Sequence, residues 1–410
     1  MAITQTTLGS LLKNVYSKGA ITVLQNLEVP FMEYMPDATD FSLGGNGFYF
    51  PVNASGDEGY GYIKESAAIP PPQNEVVKQA AVTPVIFAGA VRVTGLAKAI
   101  ASRDPMSFAS ALQYHLDTKL RRMTAYQEGA LFRSGTGKLC TNPAISAADT
   151  TTTGLAMDSV QWLRPNMLLD VRTGTVHTYS NVKVTDVDWA ANTAKFDTNM
   201  DTGAHLAASH EFYLAGTQQA AVATANNEIL GLGAALATSG TYLGIDRAAV
   251  TTFKSNVVAA GSTDLDEDLL LLAENRALIV GGISQSNISN FRMVIHPNQR
   301  RKYFALVVPQ KQFTGLSLDA GYSKLTWNGH EMVESYNCPE TSVFMGDFST
   351  FQKFTAPEGD MKIDDTFGPP IKWAQGFDSG IAYWRSYCNY AVRKPNAWVA
   401  ITGLGNVTNR

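Results

Sequence analysis

Cysteine is scarce: the chain holds three, Cys140, Cys338 and Cys388, an odd number and far apart. That spacing supplies neither a disulfide framework nor a zinc site, and a chain folding in a reducing cytoplasm is expected. Charge is thin as well, at 17% of residues, and carries no positive surplus, with 32 Lys+Arg against 36 Asp+Glu and a net charge of -4. A protein whose main work is gripping phosphates needs the opposite balance, so sequence-independent nucleic-acid binding is excluded as its primary role. No run of about 18 apolar residues occurs, and the opening MAITQTTLGSLLKNVYSKGA has no uninterrupted apolar region or cleavage site. Neither a membrane span nor a secretory leader is expected. Internal repeats and low-complexity tracts are lacking too.

What is present is apolar material. Of 410 residues, 45% are hydrophobic and 10% aromatic, which marks a folded chain with a large core. Single cores stop growing near ~250 to 300 residues, so two or more packed units are expected. An aromatic-rich surface with few charges is suited to meeting other protein surfaces.

Residues 1–40 read as an arm: Leu8, Leu11, Leu12 and Val15 share one helical face, and two prolines then break any period. In residues 41–96, β-rich runs (48–52 and 82–93) flank a glycine-rich centre and the Pro70-Pro71-Pro72 run. Proline triplets do not fit a central strand, so a long projecting hairpin is expected. Asp104-Pro105 then opens the most legible element, with Asp as N-cap and Pro at the first helical position. Phe108, Leu112, Leu116 and Leu120 recur every four residues, Met123 and Tyr126 continue the stripe, and Gly135 offers a stop. A helix over about 104–133 would be roughly 43 Å long. Residues 151–220 carry short strands, including a hairpin around Ala190-Ala191-Asn192, and predict a small barrel or sandwich. Residues 221–345 return to helix: a pattern from Ala223, then a helix with Thr263 as N-cap and Gly281-Gly282 as stop. Strand Phe291 to Ile295 follows, ended by Pro297 and a short helix. Residues 346–410 are aromatic-rich strands, closing on a hairpin whose turn holds Lys394-Pro395-Asn396.

Motifs of chemistry fail on inspection. Ser134-Gly135-Thr136-Gly137-Lys138 ends like a phosphate loop, but Phe132 holds the first glycine position and Leu139 the hydroxyl position. A helix stop and turn is the better reading. Gly231-Leu232-Gly233 is followed by Leu236 where a dinucleotide fingerprint needs a small residue, so close packing accounts for it. Asp264, Asp266 and Asp268 imitate a calcium loop, yet Leu269 and Asn275 replace the required glycine and glutamate. These acids suit a helix N-terminus. The six histidines form no HExxH, and His205 and His210 are expected in solvent. No nucleophile elbow is found. Arg121-Arg122 and Arg300-Arg301-Lys302 read as solvated or intersubunit faces.

The order of elements is itself specific: arm, long hairpin, spine-like helix, β insertion, mixed α/β region, aromatic strands. Together with Ile295-His296-Pro297 entering a helix, the run 313–318, Gly321 to Gly329, the turn Met345-Gly346-Asp347 and Lys394 to Ile401, it resembles the major capsid protein of tailed bacteriophages. That resemblance implies an α+β, Hong Kong 97-like capsid fold with an N-arm (1–40), an extended E-loop hairpin (41–96), and a peripheral domain with the long spine helix (97–150). An inserted small β-barrel (151–220), an axial domain (221–345) and a return to both domains (346–410) complete it. A shell-building role without catalysis, cofactor or metal is implied. Expected partners are further copies in hexamers and pentamers, a separate scaffolding protein, since residues before 41 leave no room for a fused one, a portal and a decoration protein. The shell encloses double-stranded DNA without reading its sequence, and no membrane is involved. Candidate intersubunit contacts are Phe31, Met32 and Tyr34 in the arm, Tyr60, Tyr62, Ile63, Lys64 and Glu65 at the hairpin tip, and Arg121 and Arg122. Some members join subunits by Lys–Asn isopeptide bonds; Lys64 lies where such a lysine would be, but no catalytic carboxylate is identifiable. Competing readings are an encapsulin-like nanocompartment and an α/β enzyme with a β-barrel domain.

Overall fold

The computed structural model describes residues 2–3, 29–45, 47–66, 68–96, 105–142, 150–174, 176–200, 209–217, 228–283, 288–311, 326–357, 359–363, 371–373 and 376–405. Expectations for the Leu8 to Val15 stretch, Asp104, His205, residues 223–227 and 313–325, and the side chains of Phe108 and Leu112 fall outside that set. The chain forms two compact units, each discontinuous in sequence. One comprises Met1–Val29, Pro84–Glu128 and Thr355–Cys388; the other comprises Pro30–Thr83, Gly129–Phe354 and Asn389–Arg410.

In the second unit, β1 (Gly47–Ser55) and β2 (Val76–Val82) pair antiparallel, from Phe48 opposite Val82 outward. The hairpin is therefore shorter than residues 41–96. Pro84 has no N–H to continue the ladder, and Asn389 donates to the Thr83 carbonyl at 2.6 Å. The following run, β3 (Val85–Thr94), joins a different sheet. Next comes α1 (Pro105–Phe132), of 28 residues, ending as Gly135 and Gly137 take positive φ. It is the long helix that the sequence marks.

Five strands follow: β4 (Lys138–Asn142), β5 (Leu168–Thr173), β6 (Val176–Asp188), β7 (Thr193–Phe196) and β8 (His210–Leu214). They pair in the order β4-β8-β5-β6-β7, and Leu155–Ala156 closes the far edge. That edge returns to β4. Asn142 Nδ2 donates to the Ala156 carbonyl at 2.5 Å, and Asp158 N to the Thr141 carbonyl at 2.9 Å. The sheet is thus curled nearly into a barrel, starting earlier than residue 151. Period-2 patterning turns Leu169, Val171, Val182, Val184, Phe196 and Phe212 inward, with the last two rings stacked at 5.5 Å. His210, expected in solvent, is fully buried.

A mixed sheet carries the main core of the second unit: β9 (Asn256–Ala259), β10 (Phe291–Ile295), β11 (His330–Glu334), β12 (Val343–Asp347) and β15 (Trp398–Thr402), ordered β9-β15-β12-β10-β11, with Thr326–Trp327 at the edge. Helices α2 (Glu267–Gly281) and α3 (Pro297–Lys311) share one apolar cluster with it through Leu270, Ala273, Ala277 and Tyr303. The N-cap of α2 is Asp266, not Thr263, because Thr263 Oγ1 turns back to the Ala260 carbonyl. Gly282, left-handed at φ 55°, stops the helix. Met345-Gly346-Asp347 is the end of β12, not a turn; the turn follows at Phe348–Thr350, capped by Asp347. Gly346 lies against the Trp398 indole, where any Cβ would collide.

Two longer strands are β13 (Phe351–Thr355) and β14 (Ser379–Val392). In the first unit, β14 pairs antiparallel with β3 from Ser379 opposite Thr94 to Cys388 opposite Val85. Tyr126 of α1 stacks on Phe87 at 5.8 Å, and the Met123 side chain lies over Gly89. Lys394-Pro395-Asn396 does form a turn, but β14 and β15 on either side of it enter different sheets, so it is not a hairpin.

Candidate assembly surfaces

The hairpin is anchored at its base and bare at its end. Phe48 and Phe50 are buried, with Phe50 stacked on Phe354 at 5.6 Å and Arg393 over its ring at 4.8 Å. Ala81 N donates to Leu243 O at 3.0 Å and Thr252 Oγ1 to Ala54 O at 3.1 Å, which fixes both strands near the body. Further out both faces are open: Val76, Val77, Lys78 and Gln79 are all exposed. A groove of about 310 Å³ lies along the outer face between Tyr49, Pro51, Val77 and Gln79.

At the tip, Asp57 Oδ1 accepts from Gly59 N at 2.9 Å and Gln73 N at 3.0 Å, so one carboxylate ties the two limbs together. The crossing is tight enough to require glycine: a Cβ on Gly59 would sit 2.9 Å from the Pro71 oxygen. Beyond it Tyr60 is 76% exposed, Tyr62 fully exposed, Ile63 51% and Ile69 81%. Lys64 and Glu65 are exposed beside them. Four bare apolar side chains on an arm that has no core of its own are unusual for a finished surface.

The arm candidates separate. Phe31 is fully buried, its ring 4.8 Å from Phe132 and 5.5 Å from Phe348, so it has no surface to offer a neighbour. Prolines hide its register in the sequence; the wedge follows from aromatic partners far along the chain, at Phe132, Phe348 and Phe351. Tyr34 is half-buried, donating to Glu331 Oε1 at 3.0 Å with the Arg292 guanidinium over its ring at 4.6 Å. Met32 is partly exposed. In the first unit Arg121 and Arg122 are exposed on α1; burial, with the Arg122 charge, lowers the Lys119 pKa.

The charged motifs serve structure. Gly137 N donates to Glu228 Oε2 at 2.8 Å, and the same carboxylate holds Arg133 at 2.5 Å, so the phosphate-loop imitation is a capped turn around a buried ion pair. A Cβ on Gly231 would lie within 2.6 Å of the Ala130, Leu131 and Arg133 carbonyl oxygens, which explains the glycine by packing. Asp264 pairs with Lys302 at 2.5 Å and Arg300 with Glu334 at 2.9 Å. Glu274, a buried carboxylate that the sequence did not flag, accepts from Trp327 Nε1 at 2.8 Å and Asn328 Nδ2 at 3.1 Å, with His330 Nε2 at 3.3 Å. It docks the hairpin after residue 325 onto α2. Cys140 is buried in the barrel, where burial and then the Asp158 charge push its thiol well up, leaving it unreactive.

The fold defined by these units is that of phage capsid subunits. It is similar to a chain of the Cyanophage A-1(L) capsid asymmetric unit at 11% identity and TM-score 0.59, over 98% of this chain and 99% of that one. The capsid of a native GTA particle is similar at 10% identity and TM-score 0.50, over 95% and 94% of the two chains, and that of the empty GTA particle at 11% and 0.50 over the same shares. No family model matches the sequence. No curated protein matches it either. The α+β capsid fold expected from the element order is borne out.

Proposed function

We propose that this chain is the major capsid protein of a tailed bacteriophage, self-assembling into an icosahedral shell around double-stranded DNA. The observation that carries the reading is the likeness of nearly the whole chain, end to end, to a capsid subunit. The hairpin adds a physical reason: Tyr60, Tyr62, Ile63 and Ile69 are exposed and suited to burial on a sister copy. Contacts of ~1,600 Å² repeated around a subunit sum cooperatively, because each added copy meets more than one neighbour already in place. In this reading residues 47–82 act as the E-loop, α1 as the spine helix and residues 138–214 as the insertion domain. The subunit performs no catalysis and binds no cofactor. It is assembled in the host cytoplasm with scaffolding and portal partners and resides in the virion.

Electron microscopy of the purified protein tests this. Closed shells, or rings of five and six, are expected. A monodisperse monomer at all concentrations, with or without crowding agents, would sink the proposal. Shells that form only around a copurifying enzyme would move it to a nanocompartment.

A further inference from the structure

Asn-Gly is the dipeptide at which asparagine is least protected against loss of its own amide, because the following backbone N–H belongs to a residue with no side chain to shield it. The sequence holds two such pairs, Asn46-Gly47 and Asn328-Gly329, and residue 46 lies outside the described residues. The second pair is the two-residue turn between Thr326–Trp327 and β11, with Trp327 opposite His330. Asn328 and Gly329 have φ of 49° and 83°, the left-handed pair that a type I′ hairpin demands, and both are exposed to water.

Asn328 differs from an ordinary turn residue in what its amide holds. Its Nδ2 donates to Glu274 Oε2 at 3.1 Å, beside Trp327 Nε1 at 2.8 Å, while His330 Nε2 stands 3.3 Å from Oε1. Glu274 is 6% exposed, so these groups take the place of water around its carboxylate. The Asn328 amide is thus one of the ties that hold the hairpin on α2, and it is the one that chemistry can delete. Replacing it by a carboxylate removes a donor and sets two like charges side by side with little solvent between them.

We propose that Asn328 is a self-modification site whose conversion to aspartate or isoaspartate releases the 326–334 hairpin from α2. The Gly329 nitrogen attacks Asn328 Cγ, and the new C–N bond closes a succinimide. The side-chain nitrogen leaves as ammonia, carrying off the Gly329 amide proton. Water then opens the ring at either carbonyl, so one water is consumed for each ammonia lost and nothing is oxidised or reduced. Glu274 restrains the step, since the departing nitrogen gives up a charge-assisted hydrogen bond. The change runs one way, because the acid formed at 328 meets the Glu274 charge whenever the hairpin returns.

Peptide mass spectrometry of the full-length chain aged at mildly alkaline pH tests this, with fragments that separate residue 328 from residue 46. Aspartate and isoaspartate are expected to accumulate at 328 in the native chain, more slowly than in the denatured chain. In Glu274→Gln the native rate is expected to rise ~5-fold, a neutral bond replacing a charge-assisted one. Asn328→Asp is expected to lower the melting temperature by at least about 2 °C and to speed amide hydrogen exchange across residues 326–334. Adding Glu274→Gln to it is expected to recover most of that loss. No conversion at 328 in the native chain long after the denatured chain has fully converted overturns the inference. So does an Asn328→Asp protein with the melting temperature and exchange pattern of the wild type.

Discussion

Phe31 packs among three rings, Phe132, Phe348 and Phe351, and Phe31→Ala is expected to cost about 3 to 5 kcal/mol of subunit stability, read as a fall in the melting temperature of unassembled protein. An unchanged melting temperature would return Phe31 to the set of intersubunit contacts. Arg133 and Glu228 are each 3% exposed and hold one another. Glu228→Ala strands a buried guanidinium, which costs about 3 to 5 kcal/mol, whereas replacing both with apolar residues costs far less; denaturant unfolding of the single and double variants separates the two. Glu211 on β8 adds a pH dependence. Burial alone would raise its pKa, but the hydrogen bonds from Lys138 at 2.8 Å and Tyr213 at 2.6 Å, with the charges of Lys138 and Arg172, outweigh burial and hold it below its ordinary value of 4.5. Its contribution is therefore complete above pH 4.5 and lost as pH falls through the lowered value. The acid limb of the stability curve should flatten in Glu211→Gln; an identical limb in both proteins would remove Glu211 as a cause.

At the scale of elements, the hairpin tip is the part that can be removed without harm to the subunit. Among the described residues of 55–75 none is buried, and burial ends at Phe50 on one strand and Ala80 on the other. Deleting them is expected to leave melting temperature and solubility intact and to abolish closed shells, as seen by electron microscopy. Shells of normal size from that deletion would show that the tip has no role in closure. The elements with local signals were legible in advance: α1 announces itself by Asp104-Pro105 and a four-residue stripe, and α3 by Ile295-His296-Pro297. What escaped was whatever depends on distant partners. Nothing near Val85 reveals that it pairs with Cys388, and nothing near Lys394 reveals that the strands flanking it separate into two sheets. Glu274 was hidden for a related reason, because a single acid in the apolar run LLLLAENRALIV looks like a surface residue until Trp327 and Asn328 arrive to satisfy it.

For the molecule as a whole, the balance of forces in assembly follows from its surface. Tyr60, Tyr62, Ile63 and Ile69 stand exposed at the tip, and only 17% of the chain is charged. Lys302 and Arg300 are engaged by their own chain's carboxylates. Association driven by apolar burial strengthens on warming and in excluded salts such as sulfate, and resists screening, whereas association through ion pairs weakens once the Debye length falls to ~3 Å in 1 M salt. Light scattering of the assembling protein should therefore rise between 4 and 30 °C, rise further with ammonium sulfate, and change by less than about threefold between 0.1 and 1 M sodium chloride. Assembly that collapses steeply with sodium chloride would instead assign the lattice to charge, and the apolar tip would lose its place as a main contact.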